Sequence, residues 1–206
     1  MRIPRVFHRI WTASSPLMPD EFVRWGRTWL NLNPNWDMIE WHNWPEWGVN
    51  REAYESARNA AQAADVLRYE VLAKFGGIYV DTDFEALKPI EEAIGDVGCF
   101  AASEFSFNND AQPRVVSAGI IGATPEHPAI LDAIAALPGS MQSNTQWGQS
   151  FESGPWFLTS VYVRHVREFK VFPKEAYYPY YLNEPNLGPE AYPQAVAVHH
   201  WAASWV

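Results

Sequence analysis

The spacing of apolar side chains changes period several times along this chain, and each change predicts an element. Ile3–Trp11 (IPRVFHRIW) concentrates β-branched and aromatic residues before the small and polar stretch Thr12–Pro16, which predicts a strand opening into a loop. From Pro19 to Leu30 the period lengthens, with Phe22, Trp25 and Trp29 at helical spacing and a proline beside the first turn. Trp36–Trp41 (WDMIEW) alternates as a second strand would. Ala60–Phe75 is the clearest helix: Ala64, Leu67, Val71, Leu72 and Phe75 share one stripe, and Gly76-Gly77 predicts an αL cap behind it. A short apolar strand, Ile78-Tyr79-Val80, then runs into Asp81-Thr82-Asp83. Cys99–Ser103 and Arg114–Ile121 predict further strands, and Ala129–Leu137 and Pro155–Val166 further helices. This alternation predicts an α/β fold. No repeat, linker or low-complexity stretch divides the chain, so one domain over residues 1–206 is expected.

Four groups of residues carry candidate chemistry. Asp81 and Asp83, two apart on extended backbone at a strand's carboxyl end, would point the same way and could face one divalent cation. Ligands of open α/β sheets bind at such ends, though a carboxylate pair there also serves as a solvated turn. Asp65 and Arg68 lie i, i+3 on one face of the helix before that strand, where an ordinary surface ion pair would look the same. His199 and His200 stand in the terminal run His199-His200-Trp201-Ala202-Ala203-Ser204-Trp205. An imidazole there could complete a shell of hard oxygen ligands, or the segment could simply pack on the domain. Ser153-Gly154-Pro155 reads as a turn and helix start with proline at the first helical position.

Composition removes several classes. With 24 Asp+Glu against 15 Lys+Arg and a formal net charge of −9, no basic patch offers itself to nucleic acid. One cysteine, Cys99, cannot form an internal disulfide, which fits a reducing compartment. Met1-Arg2-Ile3-Pro4-Arg5 has no apolar signal segment after it, and the longest uncharged apolar run, near Val115–Ala123, is too short to span a membrane. The expectation is a cytoplasmic domain, with any membrane association peripheral. The excess is in tryptophan: eleven, seven of them between Trp11 and Trp47. Trp suits a core and equally suits stacking on planar rings.

Together these segments resemble glycosyltransferase family 32, the sugar-binding region containing a DXD motif. The resemblance runs through Ile3-Pro4 with His8 and Ile10-Trp11, Ala64-Asp65-Val66-Leu67-Arg68-Tyr69, and Gly76-Gly77-Ile78-Tyr79-Val80-Asp81-Thr82-Asp83. It continues through Ile120-Ile121-Gly122-Ala123 with Pro125 and His127-Pro128, then Ser153-Gly154-Pro155 and the terminal His-x-Trp-x-x-Ser-Trp run. Yeast α-1,6-mannosyltransferases and bacterial capsular polysaccharide enzymes are in this group, and the clostridial glucosylating toxins are distantly similar.

The resemblance implies a GT-A-like, Rossmann-like fold with a single mixed sheet flanked by helices. It implies a metal-dependent, retaining hexosyltransferase that takes a UDP- or GDP-sugar and passes the sugar to a saccharide, glycolipid or other hydroxyl acceptor. Asp81 and Asp83 would be catalytic. Asp83, Asp81 and His199 would hold Mn²⁺ or Mg²⁺, with His200 open as the alternative histidine. Trp11 would stack on the base, Tyr79 and Asp81 would support the nucleotide, and Asp65 and Arg68 would hold the transferred sugar. Ser204 and Trp205 would close over the diphosphate. Relatives often carry an asparagine where Ser117-Ala118 stands here. Retention would proceed by a same-face reaction, the departing phosphate helping to deprotonate the acceptor, or through a carboxylate nucleophile, for which Glu104 and Glu152 are the candidates. Two other classes share parts of the pattern: a carbohydrate- or nucleotide-binding module without turnover, and a strand-Asp-x-Asp phosphatase. The latter needs a late acidic pair, yet no aspartate follows Asp132.

Overall fold

The computed structural model describes residues 2–12, 17–105, 115–143 and 148–202. In chain order its elements are β1 (Val6–Ile10), α1 (Asp20–Leu32), β2 (Asp37–Trp41), α2 (Arg51–Glu55), α3 (Ala60–Phe75), β3 (Gly77–Val80), β4 (Phe84–Ala86), α4 (Ile90–Ile94) and β5 (Cys99–Ser103). They continue with β6 (Val116–Ala123), α5 (Pro128–Gln142), α6 (Gln149–Glu152), α7 (Pro155–Arg164), β7 (Lys170–Phe172), α8 (Lys174–Tyr177) and β8 (Ala197–His199).

Six strands form one mixed sheet in the order β2-β1-β3-β6-β5-β7. β1 is parallel to β2 and β3, β6 is antiparallel to β3 and β5, and β7 is parallel to β5. Hence β1, β3 and β5 all run the same way and open onto one edge. Because strand side chains alternate, β1 and β3 each feed two cores. Ile10 and Tyr79 join Leu67, Leu72, Ile130 and Phe157 under α3, α5 and α7. Phe7, Ile78 and Val80 join Trp29, Phe84 and Tyr178 on the other face, under α1 and the small β4–β8 sheet. The result is a single mixed sheet with helices on both faces, as the resemblance implies.

Several expected elements need correction. α3 is buried nearly all round, from Gln62 to Ala73, rather than along one stripe, while Phe75 at its end is 38% exposed. A helix so placed must bury its polar residues too. Gly76 has φ +62° but ψ −155°, so it caps the helix through a positive φ without entering αL. At Gly77, with φ +95°, a Cβ would meet Val6 O at 2.5 Å. α5 does not stop before Pro138 but continues to Gln142. Proline leaves the Ile134 carbonyl without its helical donor, and Asn50 Nδ2 donates to that oxygen at 3.0 Å instead. The expected strand from Arg114 begins at Val116, and Arg114 is outside the described residues.

Candidate active site

The sheet's open edge is where the chemistry collects. β3 ends at Val80, and the Asp81 N–H donates to Gly119 O while Phe84 N–H closes a turn onto Asp81 O. The two aspartates therefore sit on a turn, not on the extended backbone expected from their spacing. What brings them together is β8, which pairs with β4 and puts His199 opposite Phe84. His199 Nε2 lies 3.2 Å from Asp83 Oδ1 and 3.6 Å from Asp81 Oδ2. One ligand atom from each of Asp81, Asp83 and His199 falls within 4.8 Å of the others. Burial disfavours charge on both His199 and Asp83, yet each stabilises the other: His199 is pushed up to about 10 and Asp83 held near 2, with the Ala202 N–H also donating to Asp83. Two carboxylates and one imidazole form a donor set suited to Mn²⁺ or Mg²⁺, so the residues present fit such an ion. His200 faces away. Its ring stacks on Trp25 at 4.0 Å and its Nε2 meets Glu85 at 3.0 Å.

A second group lies behind the first. Arg68 is buried and bridges Asp65 at 2.9 Å and Asp81 at 3.4 Å. Its Nη1 donates to Ala118 O at 2.5 Å, and its guanidinium lies over the Tyr79 ring. Tyr79, two residues before Asp81 and on the same face, donates its hydroxyl to Asp81 Oδ1 at 2.6 Å. Asp65 accepts from Ser153 Oγ at 2.7 Å and Gln149 Nε2 at 3.1 Å. Burial raises the Asp65 pKa, with Arg68, Ser153 and Gln149 working against it. Burial likewise opposes the Arg68 charge, but Tyr79, Asp65 and Asp81 more than offset it. So Asp65 and Arg68 form a buried network beneath the site rather than the ordinary surface pair, and Ser153 belongs to it through its side chain.

A cavity of about 460 Å³ runs along this edge, lined by Trp11, Asp65, Arg68, Tyr79, Asp81 and Asp83 together with Glu104, Ser117, Leu182, His199 and Trp201. Of the residues expected to hold donor and metal, all but Ser204 and Trp205 line it, and those two lie outside the described residues; the alternatives His200 and Glu152 do not line it.

Three features were not anticipated. Arg9 is buried in β1 and donates to the Thr82 and Phe22 carbonyls, each at 2.8 Å, while pairing with Glu40, which fixes the turn between the aspartates. Its signal was a charge inside an apolar strand, which has to find partners. Gly26 makes room for it, since a Cβ there would meet Arg9 Nη1 at 2.2 Å. A register shift between β5 and β6 at Ala101/Ala102 is the third, next to the Ala118 and Gly119 carbonyls that hold Arg68 and Asp81.

Residues 19–101 match the family model described as glycosyltransferase sugar-binding region containing DXD motif. Over those residues the chain is similar to that region. Over 177 residues it is 23% identical to mannosyl phosphorylinositol ceramide synthase SUR1 of Saccharomyces cerevisiae, covering 80% of this chain and 43% of that protein. The chain thus spans less than half the length of this relative. The solved PaToxG glycosyltransferase has the same fold, with a TM-score of 0.66 at 17% identity over 80% of this chain and 70% of that one. The UDP-bound glycosyltransferase domain from the YGT toxin matches with a TM-score of 0.56 at 9% identity, over 82% and 79%.

Proposed function

We propose that this chain transfers a sugar, with retention of configuration, from a UDP- or GDP-sugar to a hydroxyl of a saccharide or glycolipid. The observation that carries the reading is the convergence of Asp81, Asp83 and His199 on the cavity that Trp11, Tyr79, Asp65 and Arg68 also line. Asp83, Asp81 and His199 would hold Mn²⁺ or Mg²⁺, which when bound neutralises charge on a departing diphosphate. Trp11 supplies a flat face to the base. Asp65 and Arg68, held rigid by Ser153, Gln149 and Ala118 O, present a carboxylate and a guanidinium for sugar hydroxyls without having to reorganise. Retention follows from the family resemblance. The toxin domain's bound UDP supports a nucleotide donor, and the yeast relative's name supports a glycolipid among the acceptors. Among the described residues no helix is long and apolar enough to cross a membrane. The single cysteine keeps the cytoplasm as our proposed compartment.

The test is to incubate the protein with Mn²⁺ and a panel of UDP- and GDP-sugars and to follow donor cleavage by NMR. Cleavage of one donor class is expected, lost without the cation. No binding or turnover of any donor, or undiminished cleavage by Asp83→Ala, would overturn the reading.

A further inference from the structure

We propose that Arg9, through its grip on the Thr82 carbonyl, sets how tightly Asp81 and Asp83 bind the cation. This role rests on the cation-dependent reading above and adds to it a positioning residue outside the cavity. Phe84 N–H bonds back to Asp81 O at 3.1 Å, so Thr82 and Asp83 are the central residues of a four-residue turn. The peptide between two central residues can face either way, and the two orientations belong to different turn types. Here that peptide joins Thr82 to Asp83. A flip would carry Asp83 to a positive φ and swing its side chain away from Asp81 and His199. Among the described residues only Glu126 and Trp201 have a positive φ outside glycine, so Asp83 is not flipped. Nothing local prevents it, because aspartate tolerates positive φ better than most residues do.

Arg9 supplies the restraint. Its Nη2 donates to Thr82 O and to Phe22 O of α1, each at 2.8 Å, and its Nη1 meets Glu40 Oε1 of β2 at 2.9 Å. The turn is thus tied from behind to β1, α1 and β2. From the other side the His200 N–H donates to Asp83 O and the Ala202 N–H to Asp83 Oδ2, each at 2.9 Å. Arg9 is 2% exposed and does not line the cavity, so its influence on the site runs through the turn and not through the donor.

Gly26 gives independent access to the same contact. Alanine ordinarily improves on glycine inside a helix. At Gly26, however, the added Cβ would lie 2.2 Å from Arg9 Nη1 and 2.8 Å from Arg9 Cζ. The guanidinium would have to shift and release Thr82 O. One substitution therefore has two signs. It disturbs the cation site when Arg9 is present, and it only improves α1 when Arg9 is absent.

The experiment measures Mn²⁺ binding by calorimetry, alone and with UDP or GDP present, for wild type, Arg9→Met, Gly26→Ala and the double variant. Urea unfolding is followed alongside. The expected result is about 10-fold weaker Mn²⁺ binding in Arg9→Met and in Gly26→Ala, with no further weakening when the two are combined. Donor cleavage should return toward the wild-type rate at saturating Mn²⁺, since the residues that face the donor are unaltered. Wild-type Mn²⁺ affinity in either single variant would overturn the assignment and leave the glycosyltransferase reading standing. Equal weakening by Gly26→Ala with and without Arg9 would overturn it too, because the effect would then belong to α1. If Arg9→Met does not fold, Gly26→Ala decides by the same criterion. A wild type that binds no Mn²⁺ under any of these conditions removes the cation-dependent reading and this role with it.

Discussion

Beneath the cavity, Arg68 lies between Asp65 and Asp81, while at the end of α7 Arg164 and His165 lie against Asp132 and Glu168. The side chains are nearly the same and the distances are comparable: 2.9 Å for Arg68 to Asp65 and 2.8 Å for Arg164 to Asp132. Exposure separates them. The Arg68 and Asp65 side chains are each 5% exposed, against 46% and 33% for Arg164 and Asp132. Where water is excluded, a charge without a partner is expensive, and each nitrogen of the Arg68 guanidinium and each oxygen of Asp65 has a partner from α3, β6, α6 or the turn after it. In the outer cluster water is the alternative partner. A list of residue types would not tell the two apart. Burial and convergence do.

The comparison can be broken in several places. Arg68→Met leaves Asp65 buried and uncompensated, and should cost about 3–5 kcal/mol in urea unfolding. A loss comparable to that of an exposed arginine would mean that the inner network relaxes as a surface pair does. Asp83→Ala should keep the fold and slow donor cleavage by about 100-fold or more, followed by NMR.

His8 tests the same contrast through pH. Trp41 Nε1 donates to its Nδ1 and its Nε2–H donates to Gly76 O, so both nitrogens are satisfied by the neutral ring. Burial lowers its pKa from 6.5 to about 4, the Gly76 bond only partly opposing. The folded value lies below the unfolded one, so this contribution is complete above pH 6.5 and is lost as pH falls toward 4. It amounts to about 3 kcal/mol. The acid slope of unfolding free energy should flatten in His8→Gln; an unchanged slope would refute a buried neutral histidine. His165 has the opposite sign. Glu168 raises its pKa most, burial opposes it, and Asp132 adds to the rise, so what it adds is present below pH 6.5 and fades as pH rises.

Trp11→Ala should weaken donor binding by about 1–3 kcal/mol if the ring stacks on the base, read by calorimetry with the donor and Mn²⁺. Equal affinity would return Trp11 to packing against protein neighbours such as Phe22, edge-on at 5.7 Å. The smallest effect is expected for Arg164→Met, below about 1 kcal/mol of stability and with no change in cleavage.

Much of the fold is legible in the chain itself. Ala60–Phe75 and Cys99–Ser103 have the bounds their patterns predict, because long runs of consistent period leave few alternatives. The three-residue strands β4, β7 and β8 are not legible, since three residues carry no period and form only when a partner is supplied. That failure matters for the site, because the β4–β8 pair is what brings His199 to the aspartates. The tryptophans divide for the same reason. Trp29 and Trp36 are core, Trp41, Trp44 and Trp47 pack against it, Trp25 carries His200, and Trp11 and Trp201 line the cavity. One residue type serves all these places, and only its neighbours distinguish them.

The sequence by itself determined the α/β class, the strand ending at Asp81, and the order of motifs that marks a DXD glycosyltransferase region. These follow from local periodicity and from residue types at fixed spacing. Only the tertiary structure decided that His199 rather than His200 faces the aspartates, that Asp65 and Arg68 are buried beneath the cavity, and that Glu104 shares their edge while Glu152 does not. Each of those depends on contacts between segments dozens of residues apart. Direction and burial are set by what packs on a residue, and neither is encoded within a few positions of it.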